Sequence, residues 1–278
     1  MDGHDHHHHH HHDASEGQHH HGHHHGHGAT ELNKDFFNNE AQTYDTKHAK
    51  TLDNVIKEIR ARLDFIGVEW VDDEEEEDGE EGKRGEKKDG PERQVRLLDY
   101  ACGTGVVSRA LAPYTTQCVG IDLSEGMVAA YNARAENQGL SPSEMHAYQG
   151  NLCDPADPEP KAFAQPEFSD FDVAAIGLGL HHFDNPGLAL QRVASRLKKG
   201  GVLLVLDFLT HEKAQGDHPA IATVTHHGFS ESEMRKLYED AGVGENFALQ
   251  EVAVVFNRDR EYKTEWERKV FIARGTKA

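Results

Sequence analysis

The chain has 278 residues, 29 Lys+Arg against 49 Asp+Glu, a formal net charge of -20 and 36% hydrophobic content, which suits one soluble domain carrying polar appendages. So acidic a chain is repelled by phosphate backbones, which disfavours nucleic acid as a partner. No run of about eighteen apolar residues occurs and the N-terminus lacks the basic-then-apolar order of a signal peptide, so no membrane span is expected and the expected location is the cytoplasm, with the nucleus as the alternative.

The first appendage, residues 1–30, holds 15 of the 23 histidines within residues 1–28. With almost nothing apolar to bury, this tail is expected to be disordered, and its neutral imidazoles to chelate divalent nickel, zinc or copper adventitiously. No built metal site is expected anywhere in the chain. The rest, 31–278, reads as a single domain. Its first part, 31–70, is expected to be a helical lid. A short helix is placed around Lys34 to Tyr44, and a longer one from about 46 to 66, where Leu52, Val55, Ile56, Ile59 and Leu63 recur at helical spacing. Residues 71–93, "VDDEEEEDGEEGKRGEKKDGPER", have like charges and no apolar face, and read as a disordered acidic insertion.

From 94 to 209 strands and helices alternate. "QVRLLDY" reads as a buried strand, Val106 to Leu111 as a helix stopped near Pro113, and "QCVGIDL" as a second strand. "SEGMVAAYNARAENQGL" is a helix opened by Ser124 and closed by Gly139. "EMHAYQGNL" and "FDVAAIGLGL" are strands, "PGLALQRVASRLKKGG" a helix, and "GVLLVLDFL" the fifth strand. In the last segment, 210–278, Ser230 and Glu233 have capping-box spacing at the start of a helix, followed by strand candidates "ALQEVAVVF" and "ERKVFIARG". The expectation is an α/β, Rossmann-like fold: a mostly parallel seven-stranded sheet, helices on both faces, and a C-terminal antiparallel strand pair.

In such a sheet ligands bind beyond the carboxyl ends of the strands, where the strand order reverses. "LLDYACGTG" ends there. Gly103 and Gly105 let the backbone turn tightly and approach a ligand, while Asp99 offers a hydrogen-bond acceptor. Seventeen residues beyond Gly105, Asp122 ends the next strand, where an acid can grip two ribose hydroxyls. At the third strand end Asn151, beside Leu152, has an amide suited to an adenine edge. The sequence lacks the last glycine of the dinucleotide fingerprint, which makes NAD the weaker cofactor.

With "VGIDLSEGMV", "QGNLCD", "FDVAAIGLGLHHFDNP" and "RLKKGGVLLVLDF" in the same order, the chain resembles class I S-adenosylmethionine-dependent methyltransferases, in particular the UbiE-like, methyltransferase type 11 group, over roughly Phe36 to Leu209. It departs from the pattern at Ala101, where the group usually has glycine, and at Asn151, a place often held by Asp. The resemblance implies S-adenosyl-L-methionine as cofactor. Asp99, Ala101, Gly103 and Gly105 would surround its methionine part and Asp122 would hold the ribose. Leu123 and Met127 would flank the adenine, with Asn151 and Leu152 at its edge, and Tyr44 resembles the N-terminal aromatic that closes over the cofactor.

His181 and His182 follow the fourth strand, on the rim where a methyl acceptor arrives, and are the candidate catalytic residues if a proton must be removed. His226 and His227 are a second pair whose position the pattern does not fix. Cys102 reads as a packing residue. The expected function is methyl transfer to a small-molecule acceptor. The alternatives are a protein or peptide methyltransferase, histidine-rich substrates included, and a metal-responsive S-adenosylmethionine-binding protein without turnover.

Overall fold

A computed structural model describes residues 27–71, 93–213, 219–254, 256 and 269–278. Most of the histidine-rich tail and of the acidic insertion, with the disorder and metal affinity expected of them, lies outside the described residues. The helices are α1 (His27–Glu40), α2 (Tyr44–Arg60), α3 (Leu63–Ile66), α4 (Val106–Leu111), α5 (Glu125–Asn137), α6 (Pro186–Ser195), α7 (Pro219–Ala222) and α8 (Glu231–Asp240). The strands are β1 (Arg96–Tyr100), β2 (Gln117–Asp122), β3 (Met145–Gln149), β4 (Phe171–Gly177), β5 (Leu197–Phe208), β6 (Glu245–Val252) and β7 (Val270–Thr276).

The strands form one sheet in the order β3-β2-β1-β4-β5-β7-β6. β1 to β5 run parallel, and β7 is antiparallel to both β5 and β6. The expected architecture is the observed one. Burial explains why the last strand in the chain is not the last in the sheet: Val270, Phe271, Ile272 and Ala273 are all fully buried, whereas β6 exposes Glu245, Gln250 and Glu251 and takes the edge.

Alternation along each strand divides the core in two. On one face Leu97, Val173, Ala175, Val202 and Leu204 pack with Leu52, Val55 and Ile59 of α2 and with residues of α3, α4 and α5. On the other, Leu98, Ala174, Ile176, Leu203 and Val205 pack with α6, α8 and the Phe163–Phe168 pair. Local signals hold where they were legible. The Ser124 hydroxyl accepts the Met127 N–H at 3.1 Å, Gly139 takes φ +78°, and Ser230 with Glu233 completes a capping box.

Three boundaries differ. α1 begins at His27, inside the stretch assigned to the tail, and its Asn33 amide reaches the Ala29 and His182 carbonyls. The expected 46–66 helix is two, because Arg62 leaves helical geometry at φ -127° and ψ 26°; this turns Ile66 into the core before Gly67 ends α3 at φ +76°. "RLKKGG" is not helix. Leu197 instead pairs with Phe171, and the strand is then shifted by the Gly200–Gly201 bulge, where a Cβ on Gly201 would meet the Lys198 and Phe171 carbonyl oxygens at 2.9 Å.

The described chain stops at Val71 and resumes at Arg93. Arg93 pairs with Glu69, and the Val71 N–H donates to the Tyr114 carbonyl at 3.1 Å. Both ends thus lie by the amino-terminal ends of β1 and β2. Among the described residues no helix is long and apolar enough to cross a membrane.

Candidate active site

The sheet order reverses between β1 and β4, and the loop after β1 lies at that point. Ala101, Gly103 and Gly105 take φ +54°, +52° and +90°. Alanine in this region is strained by about 1–2 kcal/mol, which is why a glycine is the easier choice at position 101. At Gly105 a Cβ would stand 2.7 Å from the Tyr131 ring, so glycine is required by packing as well as by φ. At Gly103 a Cβ would meet nothing within 4 Å: open space lies beside this backbone.

Asp99 is 1% exposed and faces α4, where its Oδ2 accepts the Ser108 N–H at 3.0 Å and hydroxyl at 2.7 Å. The Tyr131 hydroxyl donates in turn to Ser108 Oγ at 2.8 Å. Burial pushes the Asp99 carboxyl up to about 7, against the hydrogen bonds from Ser108. Its placement supports the loop from beneath. Cys102 is buried, and burial, then the charges of Asp122 and Asp99, drive its thiol far above the usual range, in keeping with a packing role.

Asp122 ties the first two strand tips together. Its Oδ2 accepts the Gly103 N–H and its Oδ1 the Ser124 N–H, both at 2.8 Å. Burial raises its carboxyl above the ordinary value, opposed by N–H groups of Ser124, Gly103 and Leu123. Each oxygen retains a second lone pair.

At the third tip Asn151 Oδ1 accepts the Tyr100 hydroxyl at 3.2 Å and the Cys153 N–H at 2.8 Å. The acceptor end of this amide is therefore engaged inward. The Leu152 N–H donates to the Tyr100 hydroxyl at 3.1 Å and its side chain is in the core, as is Met127; Leu123 is half-buried. Leu123 is thus the more open of the two residues expected to flank the adenine.

The N-terminal helices are fastened to these tips by polar side chains the sequence reading did not single out. Asn38 Oδ1 accepts the Ser124 hydroxyl at 2.6 Å and the Gly126 N–H at 3.0 Å, so α1 caps α5 from outside. Asp45 accepts the Thr104 hydroxyl at 2.6 Å and pairs with Arg134. Between them Tyr44 is half-buried, and its hydroxyl is pushed up to about 12 by burial, then by the charges of Asp122 and Glu40.

Beyond β4, the turn with His181 and His182 meets the glycine loop: a Cβ on Gly179 would lie 3.1 Å from that of Ala101. His181 is buried, with Nδ1 2.8 Å from Asp207 Oδ1 and its N–H donating to Asp207 Oδ2 at 3.1 Å. Burial raises the Asp207 carboxyl, but the His181 charge and hydrogen bonds from His181 and the Phe208 N–H outweigh it and hold the group below its ordinary value. His182 Nδ1 lies 2.8 Å from the Thr223 carbonyl oxygen; burial, then His181, push its imidazole down to about 3, so it is neutral. The Thr225 and His226 N–H groups donate to the His181 carbonyl at 3.0 Å, and the His227 carbonyl accepts the His211 N–H at 3.0 Å. The second histidine pair is thus brought to the first. Phe37 stands 5.2 Å from the His182 ring, Phe208 5.0 Å from that of His181, and Phe256 5.2 Å from Phe208. Among the described residues no group of three or more His, Cys, Asp or Glu is arranged to hold a metal ion.

This donor set fits an adenosine bearing a positive sulfur. Asp122, where the resemblance puts the ribose, keeps lone pairs beyond those engaged by the Gly103 and Ser124 N–H groups, Asn151 lies at the third tip, and the turn has room beside Gly103.

Comparison with known proteins agrees. The model of a family described as Methyltransferase domain matches residues 50–243, more than half of the chain. A protein of Schizosaccharomyces pombe named an uncharacterised methyltransferase is 30% identical over 155 residues, 54% of this chain and 53% of that protein. The ubiquinone/menaquinone biosynthesis C-methyltransferase UbiE of Hydrogenovibrio crunogenus is 33% identical over 115 residues, 40% of this chain and 41% of that one. The chain spans about half the length, or less, of these curated relatives. In fold it is similar to a Thermotoga maritima structure described as a SAM-dependent methyltransferase, possible histamine N-methyltransferase, with TM-score 0.53 and 19% identity, covering 90% of this chain and 100% of that one. A family match of that extent, on a sheet of this topology, means that the protein belongs to the methyltransferase domain family, among the class I members whose cofactor is S-adenosylmethionine.

Proposed function

We propose that the protein transfers a methyl group from S-adenosylmethionine to a small-molecule acceptor. The observation that carries this reading is the meeting of the His181–His182 turn with the glycine loop at Gly179 and Ala101, which would put the histidines beside a bound cofactor. The turn is flanked on one side by α1, through Asn33 and Phe37 on His182, and on the other by residues 219–229. Flanking segments of this kind would suit a compact acceptor better than a protein chain.

When bound, the cofactor supplies a methyl group already activated on a sulfonium, so the chain must chiefly align and desolvate. Asp122 would hold the ribose hydroxyls, and the Asn151 amide would meet the adenine edge. Tyr44, fixed between Asn38 and Asp45, would close the N-terminal side. Phe37 packs on the His182 ring and Phe208 on the His181 ring, and this turn would take a proton from an acceptor that must lose one. The test is twofold: calorimetry of the purified chain with S-adenosylmethionine, then transfer of labelled methyl into a metabolite extract. Micromolar binding and a labelled small molecule are expected. A folded chain that ignores the cofactor, or label found only in protein, overturns the reading.

A further inference from the structure

We propose that His181, and not His182, is the proton acceptor in the transfer, that Asp207 is the residue that positions it, and that the acceptor is a hydroxyl compound. This rests on the methyl-transfer reading of the site and asks what the two adjacent histidines, their rings 4.0 Å apart, do differently.

Their hydrogen bonds separate them. His182 Nδ1 faces a backbone carbonyl, so that nitrogen must carry the hydrogen; with its pKa pushed to about 3, the ring takes up no proton at neutral pH. Its carbonyl accepts the Thr225 hydroxyl at 3.2 Å, and its ring nitrogen holds Thr223. His182 anchors the 219–229 segment.

His181 is gripped twice by one carboxylate. Asp207 takes its backbone N–H through Oδ2 and its ring Nδ1 through Oδ1, and Oδ1 is itself fixed by the Phe208 N–H at 2.7 Å. Asp207 is fully buried. A carboxylate opposite Nδ1 places the hydrogen there and leaves Nε2 as the nitrogen that accepts a proton, while its charge stabilises the imidazolium that results. The titratable groups around this ring are Asp207 from β5, His182 from its own turn and, behind Phe208, His211; the 219–229 segment meets it through the Thr225 and His226 N–H groups.

The acceptor class follows from what this base can do. An amine attacks through its own lone pair as the free base and sheds its proton after the transfer, so it draws little on a base in the step. A thiol ionises near neutral pH and gains little from a base, whereas a hydroxyl with a pKa of about 10 gains most. In the step, the acceptor O–H bond breaks and its proton passes to His181 Nε2. An oxygen lone pair forms the O–CH3 bond, the S–CH3 bonding pair stays on sulfur to give the neutral thioether, and the imidazolium then releases its proton to water.

The test uses the full chain, labelled with 15N-histidine and bound to S-adenosylhomocysteine, with ring signals assigned through His181→Gln. We expect His181 to carry its hydrogen on Nδ1, with His182 neutral from pH 5 to 8. Asp207→Asn should move part of the His181 hydrogen to Nε2 and slow methyl transfer at least about tenfold, Asp207→Glu should restore part of both, and cofactor affinity should stay within about twofold. Mass spectrometry of a panel of phenols, amines and thiols should show O-methyl products. A wild-type His181 hydrogen on Nε2, a titrating His182, an unchanged tautomer in Asp207→Asn, or N- or S-methyl products alone would overturn the proposal. If Asp207→Asn does not fold, the wild-type tautomer decides. Failure of the wild-type chain to bind S-adenosylhomocysteine would instead sink the reading of the site itself.

Discussion

The Asp122 carboxylate accepts the Gly103 N–H at 2.8 Å, so the tip of the second strand holds the glycine turn of the first in place. One side chain thereby shapes the loop and, in the proposed function, would also supply the acid for a ribose. Asp122→Ala should weaken S-adenosylmethionine affinity at least about tenfold, since a hydrogen bond to a charged group contributes roughly 1.5–3 kcal/mol. Asp122→Asn should lose less, because an amide oxygen still accepts from Gly103. Calorimetry on both variants checks this; unchanged affinity in the alanine variant would remove Asp122 from the site.

The two glycines of the turn should respond differently to alanine. At Gly105 the new Cβ meets the Tyr131 ring at 2.7 Å and φ is +90°, so a stability loss of about 2 kcal/mol or more is expected in urea unfolding. At Gly103 only the backbone strain remains, about 1 kcal/mol, yet the methyl projects into the open space beside the loop. Gly103→Ala should therefore stay folded while binding the cofactor more weakly. Equal affinity with wild type would show that the ligand does not approach here.

Much of the frame was legible because burial on both faces forces continuous apolar strands, and because caps such as Ser124 and Ser230 act over three residues. What the sequence hid acts across long separations. Nothing local in "NNEAQTYD" says that Asn38 caps a helix 86 residues away or that Asp45 meets Thr104. Asp207 did leave a signal: an acid at the end of the apolar run "GVLLVLDFL" needs a buried partner, and the structure supplies His181. "RLKKGG" misled because its helix-forming residues are overruled by the pairing of Leu197 with Phe171.

Two buried groups should impose opposite pH dependences on stability. Asp99 is raised from 3.8 to about 7, so the folded state favours its protonated form; this contribution is full below pH 3.8 and is lost as pH rises through about 7. His182 is lowered from 6.5 to about 3, so its contribution is present above pH 6.5 and is lost as pH falls through about 3. Relative to Asp99→Asn, the wild type should lose ground between pH 4 and 7. Relative to His182→Asn, it should lose ground on acidification below 6.5. Urea midpoints of the three proteins measured from pH 4 to 8 give both slopes, and parallel curves would contradict these assignments.

The ties from Asn38 and Asp45 predict that the N-terminal helices can be loosened without disturbing the sheet. Asp45→Ala frees Thr104 and Arg134, and should cost cofactor affinity about three- to tenfold, on the scale of one or two hydrogen bonds. Hydrogen exchange should speed up in residues 30–60 and stay unchanged in β1, β4 and β5. Faster exchange throughout the sheet would mean that Asp45 supports the whole fold.

The bracket formed by Glu69 with Arg93 and by Val71 with Tyr114 makes a permissive port in the chain. The two stubs are fixed where the parallel strands start, at the far end of the sheet from the histidines, and doubling the length between them adds only about 0.6 kcal/mol of closure entropy. A reporter domain or affinity handle spliced there could therefore report on the enzyme without entering its chemistry.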